Sequence, residues 1–159
     1  LGKQLQPIGM LVVLDSILNR ITQNRAKGRN TFIFIDEIYL LFQHEYSANF
    51  LFTLWKRVRK YGAYCTGITQ NVDDLLQSHT ARTMLANSEF LIMLNQASTD
   101  RIELAKLLNI SDLQLSYITN VDAGHGLIKV GSSLVPFANK FPKNTKLYKL
   151  MTTKPGEGA

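Results

Sequence analysis

One cysteine in 159 residues is too few to close a disulfide within the chain. Cys65 lies in an apolar run where a small buried side chain fits, and a lone cysteine suits a reducing cytoplasm. Apolar runs approaching the roughly 18 residues of a membrane span are also missing, because GMLVVLDSIL (residues 9–18) is interrupted by Asp15. The opening LGKQLQPIG lacks both an initiator methionine and the charged, apolar and small-residue succession of a signal peptide, so we expect a piece of a longer protein. There are no internal repeats and no low-complexity segments. His44, His79 and His125 have no metal-ligand spacing, and no serine, threonine or cysteine has a local partner that would make it a nucleophile. The phosphate-cradling pattern G-x-x-x-x-G-K-[ST] is absent too; the nearest approximation, KGRNT (27–31), enters a strand instead of following one.

What is present is the composition of an ordinary folded domain. Hydrophobic residues make up 45% and charged residues 19%, far from a disordered chain, and the length fits one compact core. A formal net charge of +6 and a pI near 9.5 give a surface that tolerates phosphate, nucleic acid or an anionic membrane face. Many basic proteins bind none of these.

Along the chain, Leu11, Leu14, Leu18 and Ile21 recur at helical spacing with Ile17 beside them, predicting an amphipathic helix over 8–23. The polar, basic loop NRAKGRN leads to the strand TFIFI (31–35), whose continuous apolar character suits a parallel strand covered on both faces. After a polar break at 43–49, Leu51, Leu54, Trp55 and Val58 form a second helical stripe, with Trp55 as core packing and Lys56, Arg57, Arg59 and Lys60 on the opposite side. Gly62 ends that helix, and a strand over 63–69 reaches Gln70. Asn71 is positioned to cap the turn VDDLLQS, TARTMLANS reads as a further short helix, and 89–94 as a third parallel strand. Ser98 and Thr99 open a helix, and Ser111 with Gln114 fits a capping box opening another. Gly131-Ser132 then makes a two-residue turn in a hairpin over 127–137, followed by a basic, polar tail from about 141 to 159 that we expect to be peripheral. The alternation of strands and helices is the rhythm of a parallel α/β sheet.

The strand TFIFI runs straight into two adjacent carboxylates, Asp36 and Glu37. Acids at the end of a buried strand are costly unless a cation, a water or a catalytic task meets them. In open parallel sheets ligands sit beyond the carboxyl ends of the strands, where both Asp36 and Gln70 fall. An apolar strand followed by Asp-Glu is the Walker B pattern, in which the Asp helps hold Mg²⁺ on a nucleotide and the Glu polarises the attacking water. Gln70 has two readings, a γ-phosphate contact or a cap for the next turn.

FIFIDE, a helix ending WKRVRKYG, then GITQN together resemble the motor domains of the FtsK/HerA branch of RecA-like ATPases. Within that branch the sequence is similar to the VirB-type conjugation ATPases of type IV secretion systems, in the form carried by conjugative transposons of Gram-positive bacteria. LNQASTDRIELAKLLNIS and AGHGLIKVGSSLVPF extend the resemblance over nearly the whole chain. It implies an α/β, partial RecA-like P-loop NTPase fold with a parallel central sheet and a C-terminal β-hairpin. The Walker A half is absent, so residues 1–159 would be the C-terminal part of a motor domain.

The resemblance implies Asp36 as the Mg²⁺-side acid, Glu37 as catalytic base and Gln70 as γ-phosphate sensor. Arg59 would be an arginine finger inserted into a neighbouring subunit, and Arg101 a second arginine turned toward nucleotide or interface. ATP and Mg²⁺ would be the ligands of the full-length protein, which would hydrolyse ATP to drive DNA or protein transfer; the isolated fragment would be inactive. The implied partners are further copies in a hexameric ring, channel subunits of the secretion system, and DNA as an additional candidate. Membrane association would run through those partners at the inner face of the bacterial membrane, in the cytoplasm. Two alternatives stand beside this: a DNA-translocating coupling protein of the same superfamily, and a non-catalytic docking module using its basic surface on channel proteins or DNA. For Arg57, Arg59 and Lys60 a solvated helix face is the other reading.

Overall fold

The computed structural model describes residues 6–70 and 72–156, so the expected cap at Asn71 lies outside them. The chain divides into two units, Leu1–Asn87 and Ser88–Ala159, each with its own sheet.

In the first unit the amphipathic stripe forms α1, Gln6–Ala26, with Leu14 and Ile21 buried and Ile17 packed beside them. Leu18, expected on the stripe, is 40% exposed. The predicted first strand is β1, Thr31–Ile35, and it pairs in parallel with β2, Ala63–Gly67, with Thr31 opposite Ala63 and Ile35 opposite Gly67. β2 therefore stops two residues short of the expected end. Ile33 and Ala63 pack against Ile21, Leu54 and Val58, which puts both flanking helices on one face of the strand pair. The opposite face carries Phe32, Phe34 and Tyr64, and it is open: Phe34 is 70% exposed, while Phe32 and Tyr64 stack on each other with centroids 5.0 Å apart. Among the described residues of this unit, coverage of β1 on both faces, expected from its unbroken apolar run, is thus not found. An apolar run records which residues can be buried, and among the described residues of this unit helices reach one side.

A 3₁₀ turn, Ile38–Gln43, follows β1, and α2 spans Glu45–Arg57. The helix begins inside the stretch expected to be a polar break. Ser47 and Ala48 are buried, and the Ser47 hydroxyl donates to the carbonyls of Leu41 and His44, so its polarity is satisfied without water. Trp55 packs against a second core cluster of Ile38, Leu51, Leu75, Ala81 and Met84, as a core residue should. Leu75 comes from α3, Val72–Gln77; Ala81 and Met84 come from α4, His79–Ala86, whose first turn is capped by Ser78 accepting from Ala81 N–H.

The second unit holds an antiparallel sheet in the order β3 (Phe90–Met93), β4 (His125–Val130), β5 (Ser133–Ala138). The hairpin turns at Gly131-Ser132 as expected, with Val130 opposite Ser133. β3 corrects the expectation of a third parallel strand: among the described residues its partner is β4, antiparallel, with Phe90 opposite Val130. A short apolar run identifies a strand but carries no information about its partner's direction. The capping box is present in full, Ser111 accepting from Gln114 N–H while the Gln114 side chain accepts from Ser111 N–H, and it opens α6, Asp112–Leu115. α5, Ser98–Leu108, starts at Ser98 itself with Ala97 in the capping position. Among the described residues the tail contains one short helix, α7, Lys146–Met151. Among the described residues no helix is long and apolar enough to cross a membrane.

Candidate active site

Past Ile35 the chain must leave the sheet at once to enter the 3₁₀ turn, and the reversal falls on Glu37. Its backbone is left-handed, φ 50° and ψ 46°, a conformation that a residue with a Cβ adopts at a cost of about 1–2 kcal/mol. The Asp36 carboxylate helps hold it there, its Oδ1 accepting from Glu37 N–H at 3.0 Å. Glu37 is half-buried, and its Oε2 is shielded from solvent with no hydrogen-bond partner. A strained backbone and an unpartnered buried acceptor on the same residue mark a position kept for something other than stability.

The turn is fastened to the neighbouring strand through one residue. Ile68 N–H donates to Ile35 C=O at 2.8 Å, and Ile68 C=O accepts from Ile38 N–H at 3.0 Å, so the two backbone bonds bracket Asp36 and Glu37. Gly67 makes the approach possible: a Cβ there would come within 2.7 Å of Ile38 Cδ1. Gly67 and Ile68 were not singled out in the sequence, although a glycine inside a strand is the signal for such a close approach. Gln70, exposed, follows Ile68 by two residues, so the structure brings Asp36, Glu37 and Gln70 to the same, carboxyl end of β1 and β2. Asp36 is exposed and, with Val13, Leu14, Ile17, Phe34 and Leu41, lines an open and otherwise apolar groove of about 530 Å³.

The two arginines lie elsewhere. Arg59 belongs to the 3₁₀ turn Val58–Tyr61, which ends at Gly62; Gly62 C=O accepts from Thr31 N–H at 3.0 Å, fixing this turn at the amino end of the strand pair. Five residues of strand, roughly 16 Å, separate that end from Asp36, farther than an arginine side chain extends. Arg59 therefore cannot serve the carboxylates of its own unit. Arg101 is on α5 in the second unit, lining a shallow pocket with Asp112, Ser116 and Thr119, and is not among the residues that the first unit gathers. Cys65, within β2, is pushed up to about 11 by burial, which leaves an inert thiol at neutral pH. Among the described residues no three His, Cys, Asp or Glu side chains cluster as a metal site.

The model of the TraG P-loop domain matches residues 2–129. The chain belongs to the TraG P-loop domain family. The matched stretch takes in the strand–acid junction, Arg59, Gln70 and Arg101. Among solved structures the chain is similar to that of VirB4 of Thermoanaerobacter pseudethanolicus, at 25% identity and a TM-score of 0.76 over 87% of this chain. It spans 38% of the length of that protein. No curated protein matches. Both matches agree with the RecA-like α/β fold implied by the sequence.

Proposed function

We propose that this chain supplies the hydrolytic half-site of an ATP-driven motor subunit, one that energises conjugative transfer of DNA or protein through a type IV secretion channel. The observation that carries the reading is Glu37: a half-buried carboxylate in a strained turn at the carboxyl end of a parallel strand, with one oxygen lacking any partner. Such an oxygen is an acceptor waiting for a donor, and a water poised to attack phosphorus is the donor this reading gives it. Glu37 takes a proton from that water as its oxygen bonds to the γ-phosphorus and the bond to the β–γ bridging oxygen breaks, releasing ADP.

Asp36 suits the cation side of the site. Mg²⁺ takes one or two carboxylates together with waters and substrate phosphates, and an exposed carboxylate at a strand end next to a second, unpartnered one fits that donor set. When bound, Mg²⁺ neutralises charge on the phosphate oxygens. Gln70 orients the water or the γ-phosphate by hydrogen bonding. The phosphate loop has no counterpart in this sequence and comes from elsewhere in the full-length protein. Arg59 acts in trans, on the site of a neighbouring copy in a ring that we take to be hexameric, and Arg101 is a second arginine for nucleotide or interface. The assembly works in the cytoplasm at the inner face of the bacterial membrane, docked on channel subunits.

The test is steady-state ATP hydrolysis by the full-length protein and its Glu37→Gln variant, which keeps the shape and removes the base. Turnover should fall about 10²-fold or more with nucleotide binding retained. Turnover unchanged in the variant would take the role of base from Glu37, and a wild type that hydrolyses no ATP would leave the docking-module reading in its place.

A further inference from the structure

Residues 139–156 hold five lysines, Lys140, Lys143, Lys146, Lys149 and Lys154, and no aspartate or glutamate. Within this segment α7 is capped by Thr145, whose hydroxyl accepts from Tyr148 N–H at 3.2 Å, and Phe141 stacks on Tyr148 with centroids 6.4 Å apart. The segment is therefore ordered, yet its apolar side chains face outward. Leu147, Leu150 and Met151 stand at i, i+3 and i+4, on one face of the helix, and are 55%, 64% and 73% exposed. Lys140 is paired with Asp122 at 3.2 Å, whereas Lys146, Lys149 and Lys154 are exposed and make no ion pair among the described residues. Residues 139–156 themselves lie beyond the stretch 2–129 matched by the TraG P-loop domain.

We propose that residues 139–156 form a direct docking surface for an anionic lipid bilayer, with Leu147, Leu150 and Met151 entering the headgroup boundary and the lysines meeting lipid phosphates and carboxylates. Charge complementarity selects this occupant. A nucleic acid backbone would use the lysines but leave three adjacent apolar side chains in water. An apolar protein groove would use those side chains but has no need of five cations. A bilayer with anionic headgroups uses both, because lysine stems lie along the apolar boundary while their ammonium groups reach the polar layer. With so short a helix the contact is reversible. It goes beyond association through channel partners and does not depend on ATP hydrolysis.

The experiment is co-sedimentation of the full chain with phosphatidylcholine vesicles, with and without phosphatidylserine. Binding should be at least about tenfold tighter to the vesicles containing phosphatidylserine and should weaken with salt. The triple variant Lys146→Gln/Lys149→Gln/Lys154→Gln should lose roughly a hundredfold in affinity. The variant Leu147→Ser/Leu150→Ser/Met151→Ser should also lose binding while keeping its circular dichroism, since all three positions are exposed. Failure to bind phosphatidylserine vesicles, or equal binding to both vesicle types, would overturn the proposal. So would an apolar variant that binds like the wild type, or tighter binding to a labelled oligonucleotide that depends on the lysines alone.

Discussion

The two ends of the β1–β2 pair solve the same backbone problem with opposite residues. At the amino end the left-handed positions are taken by Gly28 (φ 65°) and Gly62 (φ 64°), residues that occupy them without steric cost, and the flanking side chains are the exposed cations Arg25, Lys27, Arg29, Arg59 and Lys60. At the carboxyl end the left-handed position is taken by Glu37, Asp36 precedes it, and the first turn of α3 carries Asp73 and Asp74. Conformation chooses the residue at one end. At the other, a glutamate occupies a left-handed position that glycine would take without steric cost, and a carboxylate oxygen has no hydrogen-bond partner. On the proposed reading, the contrast separates a part of the molecule that serves stability and surface charge from a part that serves chemistry.

The largest effect expected from breaking this contrast is at the basic end. Arg59→Ala in the assembled, full-length protein should lower ATP turnover by about 10³-fold, the scale of a lost arginine finger, while the melting temperature stays within a degree or so, because an exposed arginine contributes little to folding. Mixing Arg59→Ala subunits with Glu37→Gln subunits should restore part of the activity, since a mixed interface can pair an intact base with an intact finger.

A smaller effect is expected where the acid turn is fastened to β2. Gly67→Val would drive a branched side chain into Ile38, and overpacking of this kind costs about 1–3 kcal/mol, measurable by urea unfolding. The same substitution should lower turnover with a smaller change in nucleotide affinity, because it displaces the backbone on either side of Glu37. Smallest is the release of strain itself. Glu37→Gly should raise stability by about 1 kcal/mol, seen as a rise of a few degrees in melting temperature, at the expense of activity. A Glu37→Gly protein less stable than the wild type would show that the turn is held by contacts of the glutamate side chain.

Much of this was legible in the sequence because local chemistry fixed it. β1 has the bounds of its apolar run, the Ser111–Gln114 capping box forms as spelled, and the hairpin turns at Gly131-Ser132. The strand–acid junction and the neighbouring strand running toward Gln70 likewise put Asp36, Glu37 and Gln70 at one end of the strand pair. What was not legible depended on partners distant in sequence. The start of α2 was hidden because Ser47 reads as polar, and only the carbonyls of Leu41 and His44 make its burial acceptable. The direction of β3 was hidden because Phe90–Met93 would suit a parallel neighbour as well as the antiparallel β4 it has. The left-handed turn at Glu37 was hidden for a different reason. Propensity assigns positive φ to glycine or asparagine, so a glutamate there contradicts the local rule, and departures of this sort concentrate where function overrides stability.

The proposed motor requires Glu37 to act on bound nucleotide, and a single-turnover experiment isolates that step from release of products. Full-length Glu37→Gln protein in excess over ATP, with Mg²⁺ present, is quenched at intervals and the ADP formed is counted. The account predicts ATP that is bound but intact, with ADP appearing about 10²-fold or more slowly than in the wild type. ADP formed at the wild-type rate would contradict it.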